Sequence, residues 1–253
     1  GVRELLLWRT FGGMINAAVM GLIAPLRYIL LTDALVEMVR REEVEAVMAH
    51  ELAHVCRHHM FWLLAAAIGA LGLLEVIFGL LLVTLVNAGA TAAEAGGARL
   101  AGVGLDAGLA MLNTAEGMTA ATVTMAGAAW LLVFGWVSRR IERQADTFAV
   151  QHLATARPDP ERDAGGRVLV DRASAEVMIA ALQQVAVLNH VPVQKRSWRH
   201  GSIAWRQAHL RRTVGQPIDA LAIDRQMFWI KVASAASILL VIAFYAGVSM
   251  LGA

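Results

Sequence analysis

The sequence predicts a mainly α-helical integral-membrane protein that carries a small β-sheet and about three transmembrane helices. Apolar residues make up 58% of the chain and charged ones 17%, a balance shifted away from that of soluble domains. Three stretches are apolar for about the 20 residues that cross a bilayer as a helix. The opening segment is apolar as well, but glycine, asparagine and proline interrupt it too often for a helix, so it reads as short strands.

In chain order, Leu5 to Asp33 is broken by Gly12, Gly13, Asn16, Gly21, Pro25 and Arg27, which favours strands such as Ile15 to Leu22 and Arg27 to Leu31. Thr32 or Asp33 can cap a short helix, and Arg41 to Glu45 opens a second one. The first span is Met60 to Val86, interrupted by Glu75, an acid that must face protein or water. Asn87 to Glu116 reads as a Gly/Ala-rich connector, and Gly117 to Val137 as the second span, with Trp130 and Trp136 near its end. Helix continues to about Ala154, a Pro/Asp/Gly loop covers Arg157 to Gly166, and an amphipathic helix covers about Ser174 to Leu188. A loop through Pro192 and a basic segment to Arg212 precede the last span, Met227 to Leu251, where Lys231 can snorkel toward headgroups. The chain therefore divides at 1–59, 60–137, 138–225 and 226–253. It begins at Gly1 with no signal-peptide pattern, which reads as a fragment of a longer chain.

Charge and cysteine content narrow the function. A net charge of +2 without a basic patch interleaved with aromatics argues against nucleic acid as a partner. The lone Cys56 excludes an internal disulfide and reads as a small buried apolar residue. Of the 22 lysines and arginines, only Arg99 lies between spans one and two. By the positive-inside rule the side carrying Arg57, Arg139, Arg140, Arg211 and Arg212 is cytoplasmic.

The chemistry centres on His50-Glu51-Leu52-Ala53-His54. Residues four apart share a helix face, so His50 and His54 can both reach one tetrahedral metal ion, with Glu51 beside them to take a proton from water. Val44, Val47, Met48, Leu52 and Val55 are expected to form the buried stripe of this helix. Zinc suits an imidazole and carboxylate donor set with an open position. The three fixed positions recur by chance in roughly one sequence in a hundred, and the competing reading is a surface helix with two solvated histidines. A third ligand decides between them. Glu142 and Asp146 lie four apart on one helix face, so Glu142 can bind the metal while Asp146 orients a ligand imidazole. The order His helix, span, span, Glu142 allows a hairpin to bring both segments together.

These motifs resemble the HtpX-like family of integral-membrane zinc metallopeptidases, which includes the CAAX prenyl endopeptidases. The shared features are His50-Glu51-Leu52-Ala53-His54 with Arg57 and His59, a span pair, then Glu142 with Ala145-Asp146. His200-Gly201-Ser202-Ile203 with Arg206 is similar to the family's late His-Pro-Pro block, with Gly201 where the family often has proline. The similarity covers roughly Asn16 to Arg212. It implies a zincin-like catalytic domain, a polypeptide substrate and a bilayer around the spans. It also implies that Asn16 and Ala17 begin an edge strand along which substrate adds. By the same resemblance, His200 and Arg206 sit near the substrate carbonyl or support the oxyanion and the Asp146 side of the site.

The expectation is a zinc metalloendopeptidase of a bacterial inner membrane, with its catalytic domain facing the cytoplasm and a role in membrane-protein quality control. Two other readings are a signalling-type membrane metallopeptidase that cleaves a regulator, and a non-catalytic zinc-binding scaffold. The Glu142 and His200 blocks fit the first less well, and Glu51 has no use in the second. His58 and His59 are expected at the membrane surface, and His152, His190 and His209 have no partner at ligand spacing.

Overall fold

The opening segment does pair into a sheet. The structure, a computed structural model describing residues 3–21, 24–94 and 114–251, has strands β1 (Glu4–Trp8), β2 (Ala17–Met20) and β3 (Tyr28–Thr32) in the order β1-β3-β2. β1 runs parallel to β3, and β2 runs antiparallel to it with Ala17 opposite Leu31 and Met20 opposite Tyr28. The turn before β3 is tight: Gly21 has φ +98°, and a Cβ there would lie 2.0 Å from the Leu26 carbonyl oxygen. Ile15, Ile29, Leu31, Leu35 and Val39 form the core beneath the sheet. Thr32 caps α1 (Asp33–Met38) by accepting from the Leu35 amide. Asp33 instead holds the Thr10 turn, accepting from the Thr10 amide and hydroxyl and from the Phe11 amide.

The chain divides into two compact units, one of Gly1–Leu63 with Gly135–Lys231 and one of Leu64–Phe134 with Val232–Ala253. In the first, α2 (Arg41–Cys56) packs on α5 (Gly135–Ala156) and on α6 (Arg172–Leu188), and α7 (Ile203–Thr213) packs on α5 and α6. The buried stripe of α2 differs from the expected one. Ala46, Ala49 and Ala53 are buried, facing a helix that buries Ala145 and Ala149. Small side chains let the two backbones approach closely. Of the residues expected to line the stripe, Val55 is buried, Val44, Val47 and Met48 only partly cover the sheet core, and Leu52 is exposed. Cys56, expected inside, is also exposed.

The basic segment to Arg212, for which the sequence offered no helix, contains α7. Ser202 caps it by accepting from the Trp205 amide, and Arg206, Gln207, Leu210 and Thr213 form its buried face. Asn189, after α6, clamps the approach to β2, accepting from the Ile15 amide at 3.2 Å and donating to the Ile15 carbonyl at 2.8 Å.

Helix α3 (His59–Glu94), which from Leu64 belongs to the second unit, runs through Asn87, so the expected connector begins as helix. Arg99 lies outside the described residues. α4 (Ala115–Ala129) passes through a π-helical turn, Trp130–Phe134, into α5, and α8 is Ala222–Leu251. Among the described residues, His59–Thr84, Glu116–Ala156 and Ala222–Leu251 are long and apolar enough to cross a membrane. Gly69 and Gly72 let α3 and α8 pack closely, since a Cβ on either would lie 3.1 Å from atoms of Ser234, Ser237 or Val241. Glu75 meets Tyr245 inside this unit. Lys231, expected to reach for headgroups, belongs to the first unit and donates to the Arg57 carbonyl at 3.1 Å.

Candidate metal centre

The close contact of α2 with α5 brings Glu142 to the two histidines of α2. Donor atoms of His50, His54 and Glu142 all lie within 4.8 Å of one another. The Nε2 atoms of His50 and His54 are 3.3 Å apart, and His50 Nε2 lies 3.7 Å from Glu142 Oε2. Metal bonds of about 2.0–2.1 Å at tetrahedral angles put ligand atoms about 3.4 Å apart, so this donor set fits a zinc-sized ion. His50 and Glu142 are buried at 7% and 6% exposure, as a dry metal centre requires.

Two further groups hold these donors from behind. Asp146, fully buried, places Oδ1 2.9 Å from His50 Nδ1, a short contact bent away from ideal hydrogen-bond direction. Arg206 donates through Nε to Asp146 Oδ2 at 2.7 Å and through Nη2 to Oδ1, while its Nη1 lies 3.2 Å from Glu142 Oε2. The guanidinium therefore compensates two buried carboxylates at once. Burial works against its charge, but Asp146 and Glu142 outweigh that and hold Arg206 more strongly protonated than a free arginine. Burial, then the neighbouring His50, pushes His54 down to about 3, which keeps its imidazole neutral with a lone pair to give.

Glu51 stands beside the donors, with its Oε2 accepting from the Val19 amide of β2 at 3.2 Å. Burial raises its pKa above the ordinary carboxylate value. Ala17 and Val19 are two apart on β2, so their amides point to the same edge. The Ala17 amide donates to Asn16 Oδ1, and Asn16 is pinned to Thr32 through both its amide and its carbonyl. His200 lies at the opening, about half exposed, with Nδ1 2.9 Å from Glu142 Oε1. All nine residues singled out in the sequence thus lie in the first unit. Asn16 and Ala17 reach the cluster only through β2, whereas the others contact one another or lie beside the donors.

Some participants gave no such signal. His59, expected at the membrane surface, is 2% exposed, and its Nδ1 lies 3.1 Å from Nδ1 of His54. It follows His54 by five residues, a spacing that does not share a helix face. A break between α2 and α3, with His58 at φ +55°, turns it inward. Gln144 and Asp224, which continue from His59, and the Val19 amide likewise have no mark in the local pattern. His152 is exposed against Glu45, and His209 meets the Thr147 hydroxyl.

Two imidazoles and a carboxylate around one point, with a second carboxylate at the side and a strand edge alongside, are the groups a metal-dependent peptidase would use. The chain belongs to peptidase family M48, whose model matches residues 12–214, the family of HtpX-like and CAAX protease metallopeptidases. No curated protein and no solved structure matches it.

Proposed function

We propose that this chain is a membrane-embedded zinc metalloendopeptidase in which His50, His54 and Glu142 hold the metal and Glu51 is the general base. The observation that carries this reading is the convergence of the three donors within 4.8 Å, with Glu51 beside them. When bound, zinc supplies Lewis acidity that brings the pKa of water down to about 7 and polarises a carbonyl.

The chain's own groups do the rest. Substrate lies extended along the free edge of β2, with Ala17 and Val19 offering backbone partners and Asn16 fixing the start of the strand. The Val19 amide, on Glu51 in the free protein, is then shared with the substrate backbone. Glu51 accepts a proton as the water oxygen bonds to the scissile carbon, and it delivers that proton to the leaving amine as the C–N bond breaks. His200, half exposed at the opening, exchanges its contact with Glu142 for one to the developing oxyanion, to which it donates. Arg206 holds Glu142 and Asp146, and Asp146 orients His50. The substrates are polypeptides, and we assign the protein to membrane-protein quality control at a bacterial inner membrane, with this unit facing the cytoplasm.

The test is cleavage of an unfolded model protein by the purified, detergent-solubilised chain beside Glu51→Gln at equal zinc content. Cleavage by the parent alone is expected; turnover retained in Glu51→Gln removes the base. Zinc content is expected to fall in Glu142→Ala, and full occupancy there removes it as a ligand.

A further inference from the structure

Behind His54 a chain of hydrogen bonds runs away from the donors. His54 Nδ1 lies 3.1 Å from His59 Nδ1, and His59 Nε2 lies 3.0 Å from Gln144 Oε1. Gln144 Nε2 donates to Asp224 Oδ1 at 2.6 Å, in the first turn of α8. Gln151 Nε2 donates to the other oxygen, Asp224 Oδ2, at 3.0 Å, and the Arg57 guanidinium lies 3.7 Å from Oδ1.

This chain can be satisfied in only one sense. An Asp224 carboxylate only accepts, so Gln144 must turn its amide N–H toward it and its carbonyl oxygen toward His59. His59 Nε2 must then carry the hydrogen. At 2% exposure, with the Lys231 charge nearby and only His54 and Gln144 in hydrogen-bond contact, a second proton on His59 would be a buried charge with no acid beside it. Its Nδ1 is therefore an acceptor, and the hydrogen between the two rings belongs to Nδ1 of His54. That leaves the lone pair of His54 on Nε2, the atom that faces His50.

We propose that His59, Gln144 and Asp224 are positioning residues that fix the His54 tautomer and ring orientation, presenting Nε2 to the metal before it binds. The relay rests on the metal-centre reading above. It differs from the Asp146 support of His50 because an imidazole, rather than a carboxylate, meets the ligand ring. The acid stands two links away, so His54 gains direction without a charge in contact.

The experiment compares the full chain in detergent with His59→Leu, His59→Asn and Gln144→Met. The readouts are zinc affinity, by competition with a chromogenic chelator, and the visible spectrum of the cobalt-substituted protein. Leucine removes both polar atoms at similar volume, whereas asparagine keeps an acceptor where Nδ1 stood. His59→Leu should weaken zinc about 10- to 100-fold and alter the cobalt bands. His59→Asn should recover most of that affinity and the parent spectrum. Gln144→Met should weaken zinc in the same direction by less, and it decides the matter if His59→Leu does not fold. Parent-like affinity and spectrum in His59→Leu, or in Gln144→Met, overturn the relay. Equal losses in His59→Leu and His59→Asn also overturn it, since packing alone then explains the effect. A parent chain that binds no zinc would instead bring down the metal centre itself.

Discussion

At the scale of single residues the centre is an arrangement of buried charge. Glu142 and Asp146 are carboxylates almost out of water, and Arg206 spans both. Removing one partner of such a group leaves the others uncompensated, which is worse than never having buried them. Arg206→Met should therefore lower stability by about 3–5 kcal/mol. Arg206→Met with Asp146→Asn should recover part of that loss. Thermal or urea unfolding in detergent checks both, and an additive pair would show that the two side chains do not act together.

At the scale of elements, the loop before α7 determines where His200 stands. Gly201 has φ +74°, and an added Cβ would lie 2.9 Å from the Trp205 ring. Proline, common at this place in the family that the chain resembles, is fixed near φ −65° and cannot follow that path. Gly201→Pro should move His200 off Glu142 and lower peptide cleavage at least tenfold, while zinc stays bound. Zinc content and turnover on the same preparation separate the two effects. The far end of α7 carries a pH dependence. Burial, then the Arg143 charge, lowers His209 from 6.5 to about 4. The folded state resists a proton that the unfolded chain accepts, so the stability held above pH 6.5 is lost as pH falls toward 4. Unfolding of the parent and of His209→Gln at pH 7.5 and pH 5 should show a smaller acid loss in the variant, and equal losses would exclude His209 as a source.

At the scale of the whole molecule, three helices among the described residues are long and apolar enough to span a bilayer, and side chains such as Leu239, Leu240 and Ile242 are more than half exposed. Apolar surface of that extent demands lipid. The chain should remain in the membrane fraction after alkaline carbonate extraction. Its only cysteine, Cys56, is exposed two residues beyond His54 and reports which side α2 faces. A membrane-impermeant maleimide should label Cys56 only when it has access to the cytoplasmic face. Labelling from the opposite side would reverse the orientation drawn from the positive charges.

The sequence by itself determined what local pattern can carry. Twenty-residue apolar runs mark spans because a helix must bury its backbone in lipid, and His50 and His54 share a face because four residues make about one turn. Strands β2 and β3 were legible because glycine and proline punctuate short apolar runs. Other features depended on contacts between distant segments. The alanine stripe of α2 became legible only with Ala145 and Ala149 opposite it, since small residues are uninformative until two backbones approach. α7 formed in what read only as a basic segment, because tertiary burial of Arg206 and Leu210 outweighs its polar composition. His59 was expected at the membrane surface because five-residue spacing has no helical meaning, and only the break at His58 turns it against His54. Periodicity records one helix's own geometry, while hydrogen-bond partners 85 residues apart, such as His59 and Gln144, are decided when the chain folds back on itself.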